Sequence, residues 1–172
     1  MSELTQFRTA KDDFFRSDEH SPLLESQRER FRHLDYYEEQ PDLAFTLTPE
    51  VFDEQDLVDM QTSTGTVASY WRWAKVRFAV DGREVELTIL RDAASGGLFL
   101  PFVDARAGQE TYGAGRYLDL HALEDGRLLV DFNYAYNPYC AYNERWTCPI
   151  PPAENRLDVA LAAGERVFVD GH

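Results

Sequence analysis

The sequence predicts a mainly β, α+β fold: an antiparallel barrel or sandwich of about seven to nine strands, with two helices packed on it at the N-terminal end. Three observations carry this. Apolar residues recur at three- and four-residue spacing before Pro41 and at period two after it. Asp81-Gly82 stands between two alternating runs, the mark of a tight hairpin. Hydrophobic residues fill 44% of the 172 positions and aromatics 13%, enough for one buried core. The chain therefore reads as a single domain over 1–172, with a helical segment at 1–40 and a β domain at 41–172.

Ser2 is placed to cap a first helix, whose inner face is Leu4, Phe7, the stem of Lys11, Phe14 and Phe15. Ser21-Pro22 reads as N-cap and first-turn proline of a second helix reaching about Arg32, with Leu24, Gln27, Phe31 and Leu34 inward. Both helices are expected to cover a sheet.

Leu43, Phe45 and Leu47 alternate with polar neighbours and form a short strand before Pro49. The acidic run VFDEQDLVDM takes no assignment. A two-residue loop at Asp81-Gly82 pairs Phe78 with Val85, Val76 with Leu87 and Ala74 with Ile89, all apolar and on one face. Trp71 and Trp73 share a strand face and are expected in the core. Gly96-Gly97 turns the chain into LFLPFVD, whose Pro101 indicates an edge or a bulge. Gly108, Gly113 and Gly115 fit neither common phosphate fingerprint and open no helix, so a nucleotide loop is rejected.

A second hairpin turns at Glu124-Asp125-Gly126. A two-residue loop would oppose Leu120 to Asp131 and mix the two faces. A three-residue loop with Gly126 left-handed sets Leu120 against Val130 and Leu118 against Phe132. Asp119 then faces Asp131, flanked by Tyr117 with Asn133 and His121 with Leu129. Two opposed carboxylates repel, so Arg116, Arg156, a cation or a shared proton must answer them. LDVALAA and ERVFVD supply one or two closing strands around Gly164.

The stretch from Asp131 to Leu157 breaks every pattern, and its irregular part spans 134–156. It holds both cysteines, four of the eight prolines and four tyrosines. Loops this long inside a domain are functional or pinned by special chemistry. Cys140 and Cys148 are a candidate disulfide or redox pair; inert buried thiols, metal ligands and a nucleophile are the other readings. The polar set is Tyr112, Arg116, Asp119, Asp131, Asn133, Tyr136, Asn137, Glu154 and Asn155. It either staples the loop backbone or lines a small-molecule pocket with walls from Tyr112, Tyr136, Tyr142 and Trp146.

Acidic residues outnumber basic ones 31 to 17, for a net charge of −14, and Lys11 and Lys75 are the only lysines. Such a surface repels phosphate backbones, which argues against nucleic-acid and anionic-membrane partners. It fits a solvated acidic surface, a high-salt habitat, or (through the arginine bias) a GC-rich genome. The N-terminus lacks the layout of a signal peptide and no apolar run is long enough to span a bilayer, so a soluble cytoplasmic protein is expected.

The segments LFLPFVDARAGQETYGAGRYLDL, DFNYAYNPYC, TCPIPPAENRL and AGE together resemble domain-of-unknown-function family 1684 of bacteria and archaea. The likeness is densest from Leu98 to Glu165 and runs more weakly through SPL, Phe31 and LDYY. Tyr134 stands where relatives commonly carry arginine, and Tyr139 where they carry proline. The resemblance implies no activity, because the family has none assigned. The functional expectation is a small-molecule-binding β-domain with its site at the 131–157 loop. A structural or interaction module without a ligand competes with it, and a flavin-binding split barrel is a third reading by fold analogy alone. No metal site is expected, and cofactor, catalytic residues and oligomeric state stay open.

Overall fold

In a computed structural model, which describes residues 1–62 and 64–170, helix α1 runs Glu3–Ser17 and Ser2 caps it as expected, its Oγ accepting the N–H of Thr5 at 3.1 Å. Helix α2 is shorter than the sequence suggests, Glu25–Arg30. Ser21 is no cap, because its hydroxyl donates to the carbonyl of Phe15 at 2.6 Å and accepts the N–H of Leu23. The helix opens after Leu24, whose N–H is taken by the Gln27 side chain at 2.9 Å. That shift exposes Leu24 and buries Leu23 in its place. Phe15, Leu23, Phe31, Leu34 and Tyr142 form a small aromatic core that seats both helices on the far loop.

Eight antiparallel strands follow: β1 Ala44–Leu47, β2 Glu50–Val51, β3 Leu57–Gln61, β4 Val67–Val80, β5 Arg83–Asp92, β6 Leu98–Phe102, β7 Arg116–Leu120 and β8 Leu128–Asp131. The main sheet runs β2-β4-β5-β6-β7, with β3 also paired to β4, while β1 and β8 make a second, two-stranded sheet. Phe45 of β1 lies 4.8 Å from the Phe78 ring and 6.3 Å from Phe132, so the small sheet closes over the large one. The layers are sandwich-like and do not close into a barrel, which removes the fold analogy behind the flavin reading.

The first hairpin has the expected register, with Phe78 opposite Val85, Val76 opposite Leu87 and Ala74 opposite Ile89. Asp81 and Gly82 both take positive φ, 50° and 77°, as a type I′ turn requires. The two tryptophans only partly reach the core. A bulge between Arg72 and Ala74 shifts the face, leaving Trp73 at the margin of the core and Trp71 half-buried.

Pro101 sits inside the sheet, yet at a local edge. Strand β6 meets β5 only at Leu98 and Phe99, so the missing N–H of Pro101 falls where that ladder has stopped. The amide of Asn155 fills the gap. Its Oδ1 accepts the N–H of Thr88 at 2.9 Å, and its Nδ2 donates to the carbonyls of Thr88 and Pro101.

The second hairpin keeps the three-residue loop but not the ladder. Ala122 bridges Leu128, and Leu123 donates to the carbonyl of Arg127 at 2.7 Å, the expected register. Beyond that point the strands part. Strand β8 leaves for β1, setting Asp131 opposite Ala44, while β7 stays with β6. The expected pairs Leu120 with Val130, Leu118 with Phe132 and Asp119 with Asp131 are therefore not ladder partners. A turn at Phe132–Tyr134, capped by Asp131, swings the chain out, and Tyr136 returns to exchange both backbone bonds with Tyr117. Among the described residues, the closing segments after Leu157 also form no strands. They run extended, held by single contacts such as Leu157 to Val103 and Tyr37 to Gly164.

A candidate ligand groove between the first helix and the irregular loop

Most of the sequence-predicted polar set fastens the loop. Arg116 is 1% exposed, and its guanidinium donates to the carbonyls of Leu161, Ala163 and Glu165, with Asp104 at 3.6 Å. Burial lowers its pKa and the Asp104 carboxylate pulls it back up. Asn133 pins Gln40 through both of that residue's backbone groups, at 2.8 and 2.9 Å. Asp131 accepts the backbone and side-chain N–H groups of Asn133 on one oxygen. Asn137 donates to the carbonyl of Arg166, and Glu154 takes a two-pronged grip from Arg72 plus the hydroxyl of Thr88. Buried loop backbone needs such partners.

The remaining residues gather under α1. A cavity of about 530 Å³ opens there, with aromatic walls that include Phe14, Tyr117, Tyr139 and Trp146. A second cavity of about 380 Å³ adjoins it, and Phe7, Asp119 and Tyr136 line both. The two neighbouring cavities together are the candidate groove.

Tyr136 donates its O–H to Asp119 Oδ1 at 2.9 Å. Burial, and then the charge of Asp119, pushes its pKa up, so the phenol remains a donor. Asp119 is itself exposed to the groove. The ammonium of Lys11 stands 5.0 Å over the Tyr136 ring and 2.6 Å from Glu165 Oε2. Glu165 is wholly buried and also accepts from the Tyr142 hydroxyl at 2.6 Å and the Asn137 N–H at 3.3 Å. Burial followed by Glu165 raises the Tyr142 phenol well above its ordinary value.

The cysteines meet at the far end. Cys148 lines the larger cavity, and its Sγ accepts the N–H of Cys140 at 3.3 Å. Both are thiols in this structure. Hydrogen bonding with Cys140, then burial, pushes the Cys148 thiol up, which disfavours the nucleophilic thiolate. The Tyr112 hydroxyl reaches Cys140 Sγ at 3.8 Å, and burial with that contact raises Tyr112 to about 12. Among the described residues, no three His, Cys, Asp or Glu side chains are grouped to hold a metal.

The groove thus collects Asp119, Tyr136 and Cys148 from the predicted set, with Asp131 at its narrower end. Of the expected aromatic walls it uses Tyr136 and Trp146. Tyr142 lies in the helix-facing core, and Tyr112 stands behind the thiols. Arg116, Asn133, Asn137 and Asn155 serve the backbone, and Glu154 pairs with the side chains of Arg72 and Thr88. Lys11 and Glu165 were missed as site residues. One signal pointed to the first of them: Lys11 is one of two lysines in an arginine-rich chain.

A family model described as a protein of unknown function, DUF1684, matches residues 29–166. The chain belongs to the DUF1684 family. Within this family's span lie Asp119, Tyr136, both cysteines and Glu165. The solution structure of an uncharacterized protein from Haloarcula marismortui is similar, at 38% identity and a TM-score of 0.73. That match covers 95% of this chain and 92% of the other. No curated protein matches the sequence.

Proposed function

We propose that this member of the DUF1684 family is a small-molecule-binding β-domain whose site is the groove between α1 and the irregular loop. The observation that carries this reading is the 530 Å³ cavity with aromatic walls and a few converging polar groups. Small-molecule sites have that size and that makeup. The groove is also held open. Lys11–Glu165 ties α1 to the end of the chain, and the loop is fastened by Arg116 and Asn155. Cys148 is kept a neutral thiol and Glu165 answers three donors, an arrangement suited to binding and not to a reacting centre.

Ligand screening by NMR with small aromatic fragments tests this. The indole N–H of Trp146, which donates to the carbonyl of Pro22, is the natural reporter. Shifts concentrated at Trp146, Tyr136 and Phe7 support the reading. Binding elsewhere, or by none of the fragments, favours a module without a ligand.

The setting we propose is the cytoplasm of an organism with high internal salt. The net charge of −14 supports it, since dense counterions relieve self-repulsion. The same charge speaks against nucleic-acid and anionic-membrane partners. Among the described residues no helix is long and apolar enough to cross a membrane.

A further inference from the structure

Building on the groove reading above, we propose that its occupant is a small organic cation: an amine or quaternary ammonium group held beside Asp119 and Asp131, with an apolar body extending toward Tyr139 and Trp146. The narrower cavity decides the chemistry. Asp119 and Asp131 both line it, and so does His121, but none of its described lining residues is a lysine or arginine. Arg116, the nearest arginine in sequence, is turned to the opposite side and buried against three carbonyls. Two carboxylates and no lysine or arginine therefore make the cavity acidic.

Among the described residues, neither carboxylate is saturated by its protein partners. Asp119 accepts the Tyr136 hydroxyl on Oδ1, and both bonds from Asn133 fall on Oδ1 of Asp131. An ionised carboxylate accepts on both oxygens. The walls around them suit a cation as well. Phe7 and Tyr134 meet edge to face at 5.0 Å, and Tyr136 completes the aromatic set. Ring faces attract ammonium groups, and more strongly where water is excluded. Lys11, in the wider cavity, does not oppose this, because Glu165 meets its charge at 2.6 Å. That wider cavity is mostly apolar wall and supplies room for the body of the ligand. The acidic surface of the whole chain raises the local concentration of cations.

The experiment compares phenethylamine with 2-phenylethanol, a neutral molecule of nearly the same shape, by NMR titration of the full chain. The amine should bind about tenfold more tightly, the gain of one charge-assisted hydrogen bond. The double variant Asp119→Asn and Asp131→Asn should remove that preference, weakening the amine about tenfold more than the alcohol. If the double variant does not fold, Asp119→Asn alone should narrow the preference, since Asp119 caps no turn. Equal or tighter binding of the alcohol by the native protein overturns the cationic class while leaving the groove as a site. Failure of both probes to bind overturns the groove reading too. A preference that survives Asp119→Asn and Asp131→Asn places the cation elsewhere and overturns the proposal.

Discussion

Lys11 Nζ lies 2.6 Å from Glu165 Oε2, an ion pair that joins the first helix to the end of the chain across 154 positions. The carboxylate has no exposed surface, and Tyr142 and Asn137 hold it from the other sides. Removing one partner of a buried pair strands the other, at about 3–5 kcal/mol. Glu165→Ala should therefore destabilise the protein by about that amount in urea unfolding. Lys11→Met should also be costly, and should release α1 to hydrogen exchange before the sheet. A loss below about 1 kcal/mol for either variant would show that the helix is seated by its aromatic contacts alone.

Asn155 serves as a patch in the ladder between β5 and β6. Asn155→Ala leaves the N–H and C=O of Thr88 and the C=O of Pro101 unanswered in a buried place. Each such group costs about 1–3 kcal/mol, so the variant should lose roughly 3 kcal/mol or more. Asn155→Asp should do no better, because an oxygen would then face two carbonyls. Near-native melting of the aspartate variant would contradict the assignment.

Arg72 holds Glu154 below its usual carboxylate value, with the Thr88 hydroxyl assisting. A depressed folded pKa adds stability that is present above the unfolded value, near 4.5, and is lost as pH falls through the folded value. Glu154→Gln should cost no more than about 1 kcal/mol at neutral pH, since the pair is partly exposed. The gap from the native protein should close below pH 4.5. A gap that persists in acid would mean the variant damages something other than the ion pair.

Cys148 Sγ lies 3.3 Å from the backbone N of Cys140, which makes the pair a candidate for oxidative joining. With diamide, the two thiols should each give up a proton and an electron to the diazene, forming one intramolecular disulfide. Mass spectrometry should find two hydrogens lost, reversed by dithiothreitol and prevented by Cys140→Ser. The bridge should stabilise the fold by roughly 2–3 kcal/mol, subject to strain. Formation of intermolecular dimers alone would rule the pair out as a redox unit.

Raising potassium chloride from about 0.1 M to 1 M shortens the screening length from about 10 Å to about 3 Å. With 31 acidic against 17 basic residues, the melting temperature should rise across that range. A flat or falling curve would count against a high-salt setting.

Some of the groove could be read in the sequence, and some could not. The irregular stretch announced itself through its crowded polar and aromatic residues, Tyr136 and Cys148 among them, while Asp119 became a candidate through a hairpin register to Asp131 that the strands do not keep. Lys11 and Phe7 were read only as the inner face of a helix. A period of 3.6 reports which side is covered, not what the side chain meets. Asn155 and Arg116 stood among the candidate polar residues. Whether their task was a ligand or a backbone carbonyl depended on neighbours as much as 67 positions away.

The same division runs through the fold. The sequence by itself determined the Asp81-Gly82 hairpin, the Ser2 cap and the three-residue turn at Gly126, because each rests on φ preferences and contacts within a few residues. Tertiary structure alone decided that β8 would leave β7 for β1, and that Tyr136 would take the vacated edge at Tyr117. Alternation states which face of a strand is apolar, but several neighbours can cover that face equally well. The choice falls to packing among Phe45, Phe78 and Phe132, and to the turn that Asp131 caps, which no local pattern contains. The groove follows from that choice, since it is the space left between a helix and a loop that touch through Arg8 with Asn133, Phe7 with Tyr134 and Phe15 with Tyr139.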